Sequence, residues 1–180
     1  MEIQVLLALI ARAYKEKYGT APGKTKLIKL CYLAEVYYRR LTGERLTSLE
    51  WVFWKYGPYF WDFDKVISME TVFEKPERED DFYPIEVQSD YVINKPTLIG
   101  KVALDRALEH GADDLSQILD FVYFDTEPMM YAKNRGELLD FSQVKPEEYY
   151  VVKKYRVGPK QGREIQKKIR EWEMRKAKRA

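Results

Sequence analysis

Thr25-Lys26-Leu27-Ile28-Lys29-Leu30-Cys31-Tyr32 opens a segment that runs through Tyr37 and Tyr38 to Gly43. Trp51-Val52-Phe53-Trp54-Lys55-Tyr56-Gly57-Pro58-Tyr59 follows shortly after it. In the first part, Leu27, Leu30, Cys31, Ala34, Tyr37, Tyr38 and Leu41 recur at helical spacing and form a stripe too broad for a surface helix. A central helix is therefore expected, from about Thr25 as N-cap to Thr42, with Gly43 just past its end. Residues 49–54 are rich in aromatic and Val side chains and read as a short strand. Gly57-Pro58 reads as a turn.

Working outward, Ile3, Leu6, Leu7, Ile10 and Tyr14 predict a first helix over residues 2–18, ended by Gly19. Phe60, Phe63, Val66 and Ile67 suggest a helix over 59–70, and residues 75–81 form a charged loop. Ile85, Val87, Tyr91 and Ile93 alternate with polar residues, which predicts a strand paired with 71–75 or with 49–54. Two more helices are expected at 97–110 and 114–124, the second opened by a capping box of Asp114 and Gln117. Residues 160–179 read as a final, basic helix. The fold class is thus mainly α (α+β): five or six helices around a central one, with a small antiparallel β-sheet or hairpin. A domain over 1–150 and a basic extension over 151–180 are expected.

The net charge of +2 hides a strong asymmetry. Residues 1–55 balance to +5, residues 56–152 to −12 and residues 153–180 to +9. Such a chain can self-associate into a homo-oligomer or address two different partners. Lys160, Arg163, Lys167, Lys168, Arg170 and Arg175 belong to the basic tail, with Ile165, Ile169 and Trp172 as a narrow apolar seam. Three readings of the tail stand side by side. It docks on an acidic body, its own or a neighbour's; it neutralises nucleic-acid phosphates; or it binds a partner protein as a helix.

Chemistry is poorly represented. One Cys and one His exclude an internal disulfide and the usual zinc ligand sets. His110 sits at a predicted helix end, where the dipole favours it, and Cys31 lies in an apolar stripe. Asp62 and Asp64, two apart on a predicted helix, do not share a face. With Asp113, Asp114, Asp120 and Asp125 they read as solvated. No phosphate-binding loop, dinucleotide fingerprint or hydrolase elbow is present. No enzyme activity, metal or cofactor is expected. Glu2 and Arg12 interrupt the apolar N-terminal segment, no signal cleavage site follows, and no run is long enough to span a membrane, so a cytoplasmic location is expected.

Two features keep two readings each. Lys55-Tyr56-Gly57-Pro58 is a backbone turn, the rim of a partner-binding surface, or both. Lys26 and Lys29 read as solvated lysines near a helix start, or Lys29 reaches a carboxylate elsewhere in the fold or on a partner.

The pattern T-x-L-x-K-L-x-Y, a Gly turn and an aromatic strand ending in K-Y-G-P resembles the SocA-like antitoxin family, or Panacea domain. Thr25, Leu27, Lys29, Leu30, Tyr32, Gly43, Trp54, Lys55, Tyr56, Gly57 and Pro58 carry it. Thr126-Glu127-Pro128 adds a weaker match, and the resemblance covers roughly residues 1–140. It implies a domain that binds and neutralises a cognate toxin protein, or delivers one to a protease complex. On that reading the partner-binding residues are Lys29, Tyr32, Trp54, Lys55, Tyr56, Gly57, Pro58, Thr126, Glu127 and Pro128.

Overall fold

The computed structural model describes residues 1–75 and 84–147. The chain divides into two units, Met1–Lys145 and Pro146–Ala180, and the first is described below. The predicted tail helix, with Lys160, Arg163, Lys167, Lys168, Arg170 and Arg175, lies outside the described residues, as does most of the 75–81 loop.

Among its described residues the first unit has six α-helices, two short 3-10 turns and one hairpin. Helix α1 spans Ile3–Tyr18 and α2 spans Lys24–Thr42. Gly19 and Gly43 close them in the left-handed conformation that an L side chain resists, at φ 78° and 75°. Helix α2 starts one residue before the predicted N-cap, at Lys24 after Gly23. Every residue from Leu27 to Val36 is buried, so α2 is enclosed on all sides and the core is built around it. Each fully buried Leu there contributes roughly 1.5–3 kcal/mol. Helix α4 (Leu98–Glu109) packs most extensively on α2, and α1 and α5 (Leu115–Asp125) also contact it. The predicted capping box is present, with Asp114 Oδ1 accepting from the Gln117 N–H and Gln117 Oε1 accepting from the Asp114 N–H.

Strands β1 (Val52–Trp54) and β2 (Gly57–Tyr59) form an antiparallel hairpin across the two-residue turn Lys55-Tyr56. The region after the turn was expected to begin a helix over 59–70. Pairing with β1 takes residues 57–59 instead, and the helix shrinks to α3 (Phe63–Ile67). The expected strand over 84–93 is likewise reduced. Residue Val87 bridges Phe73, and Pro84 bridges Gly23, but neither contact extends into a ladder. The third partner of the hairpin is residues 136–139, which pair with the outer edge of β1.

Glu35 explains how the chain turns from α2 into β1. Its carboxylate is fully buried and accepts from Arg45 Nε at 2.6 Å, the Leu46 N–H at 3.0 Å and the Thr47 hydroxyl at 2.8 Å. A buried charge is tolerable only when paired and hydrogen-bonded this fully. The loop over 45–47 is therefore tied to the middle of α2, which aims Trp51 into the core against Tyr32 and Phe60.

Candidate functional site

In the antiparallel ladder, Phe53 faces Pro58 as a pair whose own polar groups point away from each other. On the β1 side, the Phe53 N–H donates to Glu137 O at 2.9 Å and Phe53 O accepts from Gly136. On the β2 side, Pro58 has no N–H to satisfy, which suits an edge strand. Its carbonyl accepts from Lys29 Nζ at 2.7 Å. The hairpin is thus pinned along both edges. Gly57, at φ 83°, lies under the Tyr123 ring, whose atoms come within 3.6 Å of the position a Cβ would take.

Lys29 is the correction that matters most. From sequence it is either a solvated lysine or one that reaches a carboxylate; it is only 2% exposed, and its partner within the fold is a backbone carbonyl. Its place inside α2 puts the stem among core side chains and the ammonium beneath the hairpin. Burial alone lowers its pKa to about 7. Pro58 O is its one hydrogen-bond partner among the described residues, so an ammonium with three donors uses one. Lys26 is not free either, since Nζ donates to Asp113 O at 2.8 Å and ties α2 to the start of α5.

Above Lys29 lies an open groove of about 440 Å³. Helix α2 gives it Lys24, Thr25, Ile28 and Lys29, and the hairpin gives Trp54, Lys55, Tyr56 and Tyr59. Trp61 and Asp64 complete it. Trp54, Tyr56 and Trp61 are 40%, 61% and 58% exposed. The Trp54 and Trp61 rings meet edge to face, with centroids 4.9 Å apart. Lys24 bonds Asp64 at 2.5 Å across the groove wall, a solvent-exposed pair that contributes at most about 1 kcal/mol. Lys55 stands over the Tyr56 ring, 5.8 Å from its centroid.

The other sequence candidates form a second, internal group. The Thr126 hydroxyl donates to Val122 O, so the Tyr32 hydroxyl donates to Thr126 Oγ1 at 2.9 Å. Both residues are fully buried. Burial raises the Tyr32 pKa well above the usual phenol range. Glu127 is held by Arg40 at 2.8 Å, and Pro128 is buried at the start of α6 (Glu127–Tyr131). Tyr32, Thr126, Glu127 and Pro128 therefore join α2 to the α5–α6 junction. Gly57 and Pro58 are buried as well, which leaves Trp54, Lys55 and Tyr56 as the accessible members of the predicted set.

The sequence reading missed Glu35 and Trp61. Glu35 was legible in principle, because a helix apolar on every side leaves a carboxylate nowhere to go but an internal partner. Trp61 carried no such signal. His110 Nδ1 donates to Asp113 Oδ2 at 3.2 Å, its Nε2 shares a hydrogen bond with Tyr37 Oη at 2.8 Å, and the ring meets Phe121 at a tilt, centroids 4.2 Å apart. These contacts knit α2, α4 and α5 together. Burial raises the Cys31 thiol pKa and leaves it unreactive. Among the described residues, no group of three His, Cys, Asp or Glu is placed to hold a metal, and no helix is long and apolar enough to cross a membrane.

Comparison with curated proteins and with solved structures finds no match. A family model, that of the antitoxin SocA-like, Panacea domain, matches residues 27–146, which takes in α2 from Leu27 onward, the hairpin, the groove residues other than Lys24 and Thr25, and the Thr126–Pro128 junction. The chain therefore belongs to the SocA-like, Panacea-domain antitoxin family.

Proposed function

We propose that this protein is a non-enzymatic antitoxin, which neutralises a cognate toxin protein by direct contact through the hairpin face. Family membership supports a role related to toxin–antitoxin systems. The observation that carries the finer reading is the exposed trio Trp54, Tyr56 and Trp61 on a hairpin pinned at both edges. Large aromatic side chains on a rigid support are the residue types that dominate protein interfaces. Gly57 and Pro58 serve the backbone while Trp54, Lys55 and Tyr56 offer contact, so the turn is both a structural device and a rim. A lysine of lowered pKa also suits amine catalysis. That chemistry needs a second acid–base group, and the carboxylate of the groove, Asp64, is exposed and bonded to Lys24. The arrangement favours binding.

The test is co-expression with candidate toxins, taken from the proteins encoded next to it. Trp54→Ala combined with Tyr56→Ala, and separately Lys55→Glu, should abolish growth rescue while the melting temperature stays within about 2 °C, as for surface substitutions. Full rescue by both variants would overturn the assignment of this face.

A further inference from the structure

The hairpin face has a feature that a flat aromatic patch lacks, a buried ammonium at its floor. Lys29 is only 2% exposed, its Nζ holds the Pro58 carbonyl at 2.7 Å, and among the described residues it has no carboxylate as a hydrogen-bond partner. It lines the groove of about 440 Å³ beside Lys24 and Lys55, with Asp64 as the opposing charge. The ionic groups of the groove therefore sum to an excess of positive charge. Taking a lysine out of water without an anion is costly, and an arriving anion would recover that cost in a low-dielectric setting.

We propose that the groove receives a carboxylate side chain, Asp or Glu, from the partner protein, seated on Lys29 with a neighbouring apolar residue against Trp54 and Trp61. The proposal rests on the reading of this face as the toxin-binding surface. Three observations select a carboxylate over a phosphate or nucleotide. The buried Lys29 ammonium offers one point charge to one anionic oxygen, and the groove has no Arg fork for a phosphate. Asp64 stands at its wall and opposes a dianion. The aromatic rings pack edge to face, at 67° for Trp54–Trp61 and 77° for Tyr59–Trp61, instead of leaving a parallel slot for a base.

The experiment uses the full chain and two pools of capped heptapeptides, identical except for a central Glu or Gln, with random apolar neighbours. Binding is read by tryptophan fluorescence and by the Lys29 13Cε resonance. The Glu pool should bind at least about tenfold tighter than the Gln pool, the scale of one hydrogen bond to a charged group. It should also move the Lys29 resonance. In Lys29→Met the preference should vanish, while Trp54→Ala should weaken both pools alike. The comparison of pools in the wild-type protein does not depend on how any variant folds. Equal binding of the two pools, or binding of neither, overturns the proposal. So does Lys29-dependent binding of ATP or inorganic phosphate with no Glu preference. Loss of toxin neutralisation in the hairpin variants without any Glu preference removes this inference and leaves the toxin-binding face standing. A Glu preference with intact neutralisation does the reverse.

Discussion

Replacing Lys29 with Met should convert a pH-dependent stability into a flatter one. The sign follows from a pKa lowered by burial from 10.5 to about 7. Below about pH 7 the amine is protonated in both folded and unfolded chains, and the buried charge opposes folding in full. Between about pH 7 and 10.5 the unfolded chain keeps a proton that the folded chain has released, so stability rises with pH. Each pH unit in that window is worth about 1.4 kcal/mol, which gives roughly 3 kcal/mol between pH 6 and pH 9.5. The range stops short of general tyrosine ionisation near pH 10. Lys29→Met keeps the stem length and removes the titration. It also leaves the Pro58 carbonyl without its donor, a penalty of about 1–3 kcal/mol that displaces the curve without changing its slope. Lys24, Lys55 and Asp64 line the same groove and are common to both proteins, so their contributions largely cancel in the difference. Urea unfolding at half-unit pH steps supplies the two curves. Parallel curves would show that Lys29 is not held in a dehydrated site, and would refute the burial argument.

The other predictions concern the internal framework. Glu35→Ala leaves Arg45 Nε and the Leu46 and Thr47 N–H groups without their acceptor, and should lower unfolding stability by roughly 3 kcal/mol in urea titration. Tyr32→Phe removes the hydroxyl's bonds to Thr126 and to the Met129 backbone and should cost about 1–3 kcal/mol, with the near-ultraviolet dichroism retained. Gly111→Ala would place a methyl group 2.5 Å from a Tyr18 ring carbon and 3.0 Å from a Tyr14 ring carbon. The Tyr18 ring is anchored through its hydroxyl on Leu108 O, so a loss of about 1–3 kcal/mol is expected by thermal denaturation. An unchanged melting temperature would mean that both rings can swing aside.

The helices were legible in the sequence because their signals are local. Periodic leucines, Gly19 and Gly43 as stops, and the Asp114–Gln117 box all act within a few residues. The central position of α2 was legible for the same reason, through the breadth of its apolar stripe. The motif joining Thr25–Tyr32 to Lys55–Pro58 pointed to the family. The strands were less legible: Gly57-Pro58 reads locally as a turn and residue 59 as a helix start, whereas in the fold residues 57–59 pair with β1, and residues 136–139 and Lys29 meet the hairpin at its edges. The site divided along the same line. Trp54, Lys55 and Tyr56 are surface residues, while Tyr32 and Thr126, 94 residues apart, become one buried pair only after α5 reaches α2. Sequence alone determined which segments could form helices and that one of them had to lie inside. Tertiary structure decided which polar groups went in with it, because the burial of a lysine or a glutamate depends on partners that distant parts of the chain bring into place.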